Sequence, residues 1–403
     1  MAITRNLSSS QQAITAVIGL LILSIALRPP IISVGPILLL IQQHFQLSYT
    51  QAALLTSIPD VCMGVFALVV PSLARRFGID RSVLVALTLL GASTLLRALS
   101  PNAFFLLGST FFASVGIAVA GAMTGAWIKT HFAQRPALFM GLYAGGLSLG
   151  ATLAAVCSAP IAELAQDWRV GAGIWSVLCL TAIASWVWMA RRFATSAPVV
   201  KSSHQSKRLP WGNPQAWLIA LNFGAGQFVV YALFAWMAPA SVEAATSSVS
   251  PGILLGIFTA VFAVASVGAG LIPGKAHDRR GLLGLSALLA LLGLGGMAFL
   301  PAYWPMLYVV LAAIGLGMGF TVAMTLPLDH ASTSEQAGLW TVFMLFIGYL
   351  IAALGPLFFG ALREYTGHYG PAYTLLFAVL LLMLGITPLL RVAPAASPQV
   401  SAA

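Results

Sequence analysis

Charged side chains are scarce in this chain. Among 403 residues, 19 are Lys or Arg and only nine are Asp or Glu. Hydrophobic residues make up 60% of the sequence, and the mean hydropathy is +0.96. So few charges cannot cover the water-facing surface of a folded globule of 42.2 kDa. The composition lies far outside the range of soluble proteins. It excludes soluble enzymes and DNA-binding proteins, and it predicts a protein of the lipid bilayer.

Cysteine is also rare, with three residues, Cys62, Cys157 and Cys179. All three fall in apolar stretches, their number is odd, and their spacing matches no metal site, which excludes a disulfide scaffold. We expect them to pack as small hydrophobic side chains. The sequence therefore predicts neither a metal site nor a cofactor.

Motifs of metalloproteases and ATPases are missing as well. The chain has no H-E-x-x-H and no G-x-x-x-x-G-K-S/T sequence, which would bind zinc or cradle phosphates. Its histidines lie in loops or at the ends of apolar runs. We therefore predict no catalytic residues, no nucleic acid partner, and an ion gradient rather than ATP as the energy source.

Long apolar runs recur along the whole sequence, each near the ~20 residues that cross a hydrocarbon core of about 30 Å. Some connectors, such as Ser100-Pro101, are so short that they predict antiparallel hairpins. The pattern indicates an all-α membrane protein with twelve transmembrane helices. The predicted span cores are 13–41, 52–71, 82–99, 102–127, 137–160, 170–190, 215–239, 251–273, 281–300, 304–327, 338–361 and 371–391.

Basic residues orient these spans, because loops rich in Lys and Arg stay in the cytoplasm. Of the 19 basic residues, 15 fall on one side of the predicted membrane. The four exceptions are Arg28, Arg97, Arg169 and Arg363. Together with the even number of spans, this bias places both termini in the cytoplasm. The expected location is a bacterial inner membrane that the chain crosses many times.

A polar stretch divides the chain into two halves. Residues 191–214 are rich in serine and basic side chains, a composition that suits a cytoplasmic linker. Because transporters often arise from repeated bundles, we predict two pseudo-symmetric six-helix bundles, residues 1–190 and 215–403.

Two short matches support this repeat. Residues 71–78 correspond to 274–281 at an offset of 203, and Ala-Met-Thr at 122–124 recurs at 323–325 at an offset of 201. Each match alone is weak. However, the first pair follows spans two and eight and the second lies within spans four and ten, which are equivalent positions in the two halves. They indicate a six-plus-six arrangement.

Segment 274–281, Gly-Lys-Ala-His-Asp-Arg-Arg-Gly, resembles the G-x-x-x-D-R-x-G signature of the major facilitator superfamily. Its copy at 71–78 departs from the signature, with Pro71 in place of the glycine and Arg75 in place of the aspartate. Further segments resemble the cyanate and 2-nitroimidazole transporter branch of that family. They are 27–36, 53–59, 74–78, 96–97 and 128–129.

The resemblance covers nearly the full length of the chain. It implies the major facilitator fold and a monomeric secondary transporter, with a central cavity walled mainly by spans one, four, seven and ten. It also implies a gating role for Asp278 and Arg279 of the signature segment.

Arg28 is the most informative charge inside a predicted span. A charge in hydrocarbon costs about 2.5 to 3.5 kcal/mol on insertion scales, so it calls for a partner or a function. The planar guanidinium could hold a carboxylate or another small oxyanion in the cavity. Alternatively, Arg28 pairs with Asp60 or caps carbonyl groups freed by Pro29 and Pro30. The prolines favour the first alternative, because broken helices commonly line binding sites.

Asp60 and Arg97 are further charges within or at the end of predicted spans. If Asp60 is unpaired and desolvated, it could carry a proton for coupled transport; beside Arg28 or Arg97 it would stay ionised and structural. The sequence leaves both roles open. We expect Arg97, a secondary charge, to snorkel to the outer interface rather than to contact substrate.

Polar and aromatic side chains on several spans complete the candidate site. As a set they predict an uncharged, aromatic wall opposite Arg28, although each one could equally serve helix packing. The pairs at 35–36 and 238–239, offset by 203, place Tyr231 opposite Arg28 in the repeat. The candidate substrate-binding residues are Arg28, Thr124, Trp127, Tyr143, Asn222, Gln227, Tyr231, Thr325 and Tyr349.

Charges near the inner ends of spans four and ten are candidate gating residues. Lys129 and His330 occupy equivalent positions there, where interfacial charges are common. The loop after span ten carries two acidic residues, Asp329 and Glu335, and no Lys or Arg. This loop could pair with the basic fourth loop across the two halves and so form an inner gate.

Together these features predict a secondary active transporter that moves a small organic or inorganic anion, cyanate-like or monocarboxylate-like, by alternating access. Coupling to protons through Asp60 stays open, as does a second function, proton-driven export of nitroimidazole-like drugs. The expected partners are the small anion, the lipid bilayer and, in a coupled mechanism, protons. Two glycine-rich segments, 141–150 and 315–319, are expected to allow close helix contact.

Overall fold

The computed structural model describes residues 9–132, 135–193, 208–244, 249–272, 279–301, 305–331 and 333–390. Helices dominate these ranges. In chain order they are α1 (Ser9–Leu27), α2 (Pro29–Ile32), α3 (Val34–Phe45), α4 (Tyr49–Phe77), α5 (Ile79–Ala98), α6 (Ala103–His131), α7 (Pro136–Ala165), α8 (Trp168–Gly173), α9 (Ser176–Arg192), α10 (Pro214–Ala244), α11 (Pro251–Leu271), α12 (Arg280–Phe299), α13 (Pro305–His330), α14 (Ser334–Thr366) and α15 (Gly370–Ile386).

Twelve helical segments in the described part of the chain are long and apolar enough to cross a membrane. Each one overlaps one of the twelve predicted runs, so the prediction from hydropathy is confirmed. The first span is assembled from α1, α2 and α3, and the sixth from α8 and α9. Helices α1 to α9 form one six-span bundle and α10 to α15 form the other.

Local sequence sets the helix ends. Ser48 and Gln51 form a capping box at the start of α4, and the side chain of Asn102 accepts a hydrogen bond from the amide of Phe105 at the start of α6. Gly78 ends α4 with φ at 78°, a conformation that favours a residue without Cβ. These turns hold neighbouring spans antiparallel.

Both glycine-rich segments bring helices into close contact inside a bundle. Gly146 and Gly150 of α7 face Ser24 and Ile25 of α1, with no room for a side chain between them. Gly315 of α13 faces the backbone of α12 in the same way. The expected close contact is therefore present, because small residues let helix backbones approach.

The two bundles meet along several helix pairs. Gly35 of α3 faces the carbonyl of Phe234 on α10, and Gly64 of α4 faces the backbone of α14. The hydroxyls of Thr152 on α7 and Thr259 on α11 lie 3.0 Å apart. Such small and hydroxyl-bearing residues allow close helix crossing and hydrogen bonding in a bilayer.

Some predicted features lie outside the described residues: Asp278, most of the signature segment 274–281, and much of the linker 191–214. The bundle boundaries at 190 and 215 and the cytoplasmic location of both termini stay predictions.

Candidate functional site

Arg28 lies at a break in the first span. Helix α1 ends at Leu27, and the four-residue α2 begins with Pro29 and Pro30, which lack amide protons and so interrupt the helical ladder. Counted from Ile14 at about 1.5 Å per residue, Arg28 lies about 21 Å into a span that ends at Phe45. The break thus presents a guanidinium near the middle of the span.

Arg28 reaches across to the C-terminal bundle. Its Nη1 donates a hydrogen bond to the hydroxyl of Tyr231 on α10 at 3.2 Å. That hydroxyl points its proton at the sulfur of Met63 on α4, 3.9 Å away. The structure therefore brings into contact the two side chains that the repeat offset placed opposite each other.

Tyrosine rings surround this contact. Tyr349 on α14 packs edge-on against Tyr231, with ring centroids 6.2 Å apart. Tyr143 on α7 and Tyr349 both lie within electrostatic reach of Arg28. The hydroxyl of Tyr143 also lies against Gly121 of α6. One wall of the site thus carries a guanidinium, and the facing wall is aromatic and uncharged.

The Arg28 guanidinium keeps hydrogen-bonding capacity. Its side chain is half-buried, and no carboxylate of the described residues lies within 4.0 Å of it. The alternative in which Arg28 forms an ion pair with Asp60 is therefore wrong, although the two groups interact electrostatically. Since a guanidinium has five N–H donors, several remain for a ligand after the bond to Tyr231.

Asp60 on α4 is completely buried near this guanidinium. Within the described part of the chain, neither of its carboxylate oxygens accepts a hydrogen bond. An ionised carboxylate without hydrogen bonds is costly in a desolvated site. The charge state of Asp60 is consequently coupled to the positive charge of Arg28 and to anything that neutralises it.

Arg97 does not reach the membrane interface. The side chain is only 2% exposed, and its Nη1 donates a hydrogen bond to the carbonyl of Pro30 at 2.5 Å. The expectation that Arg97 snorkels outward is therefore wrong. The reason is local: the interrupted first span offers a carbonyl group that a buried guanidinium can satisfy.

Three other candidate residues make contacts within their own bundle in this structure. Thr124 and Thr325 donate their hydroxyl protons to carbonyls of their own helices, each at 2.7 Å. Trp127 stacks on His131 with ring centroids 4.3 Å apart and packs against Trp186. These contacts account for three of the predicted substrate-binding residues as packing groups.

Asn222 and Gln227 face a different space from Arg28. They line a cavity of about 20 Å³ inside the C-terminal bundle, between α10, α12, α13 and α15. The Nδ2 atom of Asn222 is buried there without a hydrogen-bond partner among the described residues. A cavity of this volume holds about one water molecule, so these two amides lie apart from the guanidinium site.

At the end of the molecule where α13 ends, Asp329 forms an ion pair with Arg279 at 2.5 Å. Both residues belong to the C-terminal bundle. In this state the carboxylate of Asp329 therefore has a basic partner on its own bundle, and pairing of the tenth loop with the fourth loop stays a prediction. Lys129, at the end of α6, is exposed.

At the opposite end, α4 and α14 are joined by contacts that sequence reasoning missed. The Oε2 atom of Glu364 accepts hydrogen bonds from the amide of Thr50 at 3.1 Å and from its hydroxyl at 2.8 Å. Gly360 lies against the carbonyl of Tyr49. We call this set, together with Arg363, the interbundle clasp.

Arg363 completes the interbundle clasp. Its guanidinium binds the Glu243 carboxylate at 2.7 Å and lies over the rings of Tyr49 and Tyr369, 4.7 and 5.2 Å from the centroids. Burial raises the pKa of the Tyr369 phenol, so its ring stays neutral under the cation. The sequence feature that could have indicated these contacts was the position of Arg363, which lies outside the loops that carry most of the basic residues.

Two six-helix bundles that meet at a buried cationic site define a secondary membrane transporter rather than an enzyme. The chain belongs to the Major Facilitator Superfamily, whose sequence profile matches residues 14–356. It is a multi-pass protein of the bacterial inner membrane.

Curated relatives agree with the branch indicated by the sequence. The chain is 34% identical over 355 residues to the cyanate transport protein CynX of Escherichia coli (strain K12), covering 87% of this chain and 90% of that protein. It is 27% identical over 367 residues to the 2-nitroimidazole transporter of the same organism, covering 90% and 91% of the two chains.

Solved structures share the fold. A D-xylose-proton symporter superposes with a TM-score of 0.71 at 14% identity, covering 94% of this chain and 97% of that one. A bacterial homologue of the human lysosomal transporter Spinster, in an inward-facing and unoccupied conformation, gives a TM-score of 0.70 at 17% identity and covers 96% of both chains.

Proposed function

We propose that this protein transports a small anion, cyanate-like or monocarboxylate-like, that binds to Arg28 between the two bundles. The observation that carries the proposal is the Arg28 guanidinium itself: it sits at a helix break, touches the opposite bundle through Tyr231 and has no carboxylate within 4.0 Å among the described residues. Guanidinium groups bind carboxylates and other oxyanions through paired hydrogen bonds. The aromatic wall then accommodates a polarizable or apolar body.

The similarity to the cyanate transport protein supports this substrate class. Cyanate is a small linear anion whose terminal atom can accept hydrogen bonds from a guanidinium. A monocarboxylate offers two oxygens side by side, which match the guanidinium fork, together with a larger apolar part. In both cases Arg28 supplies charge and direction, and the tyrosines of the facing wall supply contact area.

Protons are the second component of the proposal. When an anion occupies Arg28, an ionised Asp60 nearby would repel it and would itself lack hydrogen bonds. Protonation of Asp60 removes both penalties, so anion and proton bind together. The cycle is then electroneutral symport, and inward flux rises as the external pH falls.

Alternating access requires one end of the molecule to close while the other opens. In the state described here, the interbundle clasp joins α4 to α14 at the end opposite the ion pair of Arg279 and Asp329. We assign this state to the phase in which the site communicates with the side of that ion pair, the cytoplasm in the proposed orientation. A single chain carries both bundles, and we propose that it acts as a monomer.

Export of nitroimidazole-like drugs is the alternative function. The similarity to the 2-nitroimidazole transporter and the Tyr231–Tyr349 ring pair favour it, since a flat aromatic molecule can pack against such rings. In this mechanism Arg28 would contact a nitro group rather than a full anionic charge.

Flux into proteoliposomes under an imposed pH gradient tests the proposal. Purified protein is assayed with labelled cyanate, formate, acetate and a 2-nitroimidazole, with the gradient in each direction. Saturable anion uptake driven by an inward proton gradient and without charge movement supports anion symport. Gradient-driven efflux of the uncharged nitroimidazole, without anion flux, establishes the alternative and overturns the proposal.

A further inference from the structure

Two arginines, Arg28 and Arg97, lie within the first and third spans of the N-terminal bundle, and only Arg28 belongs to the proposed anion site. Arg97, in the last turn of α5, is one of the largest fully buried side chains of the described residues. The arginines at other unusual positions have carboxylate partners, Asp167 for Arg169 and Glu243 for Arg363. Arg97 has none within 4.0 Å among the described residues. An ion pair therefore does not explain its burial.

The hydrogen bond of Arg97 goes to the segment that carries Arg28. Its Nη1 donates to the carbonyl of Pro30, two residues after Arg28 along the chain. This bond spans 67 residues of sequence and ties α5, a helix outside the predicted cavity wall, to the break in the first span. It is a charge-assisted hydrogen bond in a desolvated site, which is stronger than one between neutral groups.

The backbone around Arg28 depends on such a tie. Residues before proline usually adopt extended backbone, whereas Arg28 precedes Pro29 and lies in the α region at φ −93° and ψ −34°. Its carbonyl accepts hydrogen bonds from the amides of Ile31 and Ile32, each at 3.1 Å. The amide of Ser33 donates to the carbonyl of Pro29, and the carbonyl of Pro30 accepts the bond from Arg97, which ties this turn to α5.

We propose that Arg97 is a positioning residue for the anion site: it holds the Pro30 carbonyl so that the Arg28 guanidinium points at Tyr231 of the opposite bundle. The proposal rests on the proposed function of Arg28 as the anion anchor. Arg97 does not contact the anion in this account, and its contribution passes through the helix break.

Three variants test the role. Arg97→Gln shortens the side chain and removes the charge, Arg97→Lys keeps a cationic donor that can still reach a carbonyl, and Arg169→Gln is the matched control at another unusual arginine. In anion uptake, Arg97→Gln should raise KM by about tenfold, because loss of the charge-assisted bond to Pro30 lets the Arg28 guanidinium leave its binding orientation. The maximal rate should stay within about twofold of the wild-type rate. Arg97→Lys should restore KM to within about threefold, and Arg169→Gln should leave KM unchanged.

A ligand-independent measurement separates this proposal from the proposed function. Hydrogen exchange at the amides of Ile31, Ile32 and Ser33 should be faster in Arg97→Gln than in wild type and near wild type in Arg97→Lys. If wild type takes up no anion but this exchange pattern appears, the anion function fails and the positioning of the break stands.

Other outcomes overturn the positioning role. Unchanged KM and unchanged exchange in Arg97→Gln mean that the bond to Pro30 does not orient the site. A lower maximal rate and lower melting temperature in both variants, with KM unchanged, mean that Arg97 only stabilises the fold. Failure of both Arg97 variants to fold leads to the same conclusion.

Discussion

The two walls of the site differ in charge although they occupy equivalent places in a sequence repeat. The N-terminal wall carries Arg28 and Asp60 and is braced by Arg97, whereas the C-terminal wall presents Tyr231 and Tyr349. Arg28 and Tyr231 lie 203 residues apart, the offset of the repeat. Equivalent helices have thus come to hold a cation on one side and a phenol hydroxyl on the other.

This difference assigns separate tasks to the two bundles. The guanidinium supplies the charge that selects an anion, and the tyrosines supply an uncharged surface that can approach and leave as the bundles move. A second cation on the C-terminal wall would repel the first when the site is empty. Asymmetry therefore lets the bundles close around a single negative charge.

Removal of the cation from the N-terminal wall is the strongest perturbation of this comparison. Arg28→Gln should reduce kcat/KM for anion uptake by at least about 100-fold, because charge-assisted hydrogen bonds to the anion are lost. Arg28→Lys, which keeps the charge but not the planar fork, should fall between Arg28→Gln and wild type. Equal uptake by all three proteins in proteoliposomes would show that the charge of this wall does not select the substrate.

Neutralising Asp60 tests the second charge of the same wall. Asp60→Asn keeps the shape of the side chain but cannot exchange a proton, so uptake should lose its dependence on the proton gradient and remain saturable. The expected rate loss under an inward gradient is about tenfold, equivalent to about 1.4 kcal/mol. Retained gradient dependence in Asp60→Asn would return Asp60 to a structural role.

The aromatic wall should give a smaller effect. Tyr231→Phe removes the hydroxyl bonded to Arg28 but keeps the ring and the cation, so KM for the anion should change by about fivefold or less, or about 1 kcal/mol. Tyr308→Phe, in the same bundle on α13, is the matched control and should leave KM unchanged. A loss in Tyr231→Phe as large as in Arg28→Gln would contradict the division of tasks between the walls.

The interbundle clasp should give the smallest effect on affinity, because its polar contacts are partly exposed. Glu364→Gln should weaken the bond to Thr50 and shift the resting population toward the state open at that end. Spin-label distances across α4 and α14 measure this shift, with Glu163→Gln as a control at an exposed acid. An unchanged distance distribution would show that Glu364 does not contribute to closure.

Hydropathy alone was enough to locate the twelve spans, because each apolar run is long and its connectors are short. The repeat offset also paired Arg28 with Tyr231, since equivalent positions in two related bundles meet at the pseudo-symmetry axis. Both inferences depend on position along the helix axis, which sequence spacing records directly.

Rotation of each helix about its axis was harder to infer. Runs that are apolar on all sides do not show which face is turned inward, so Asn222 and Gln227 were assigned to the Arg28 site but line another cavity. Contacts between distant residues escaped prediction as well. The bond from Arg97 to Pro30 and that from Thr50 to Glu364 each depend on tertiary packing of helices far apart in sequence.

The most direct test of the central claim is the distance between a bound anion and the Arg28 guanidinium. Solid-state NMR can measure dipolar coupling between ¹³C-labelled cyanate and ¹⁵N-arginine in lipid-reconstituted protein. We predict a carbon–nitrogen distance of about 4 Å or less, consistent with direct hydrogen bonding, and loss of this coupling in Arg28→Lys. Bound cyanate without such coupling in wild type, or coupling that persists in Arg28→Lys, would contradict the account.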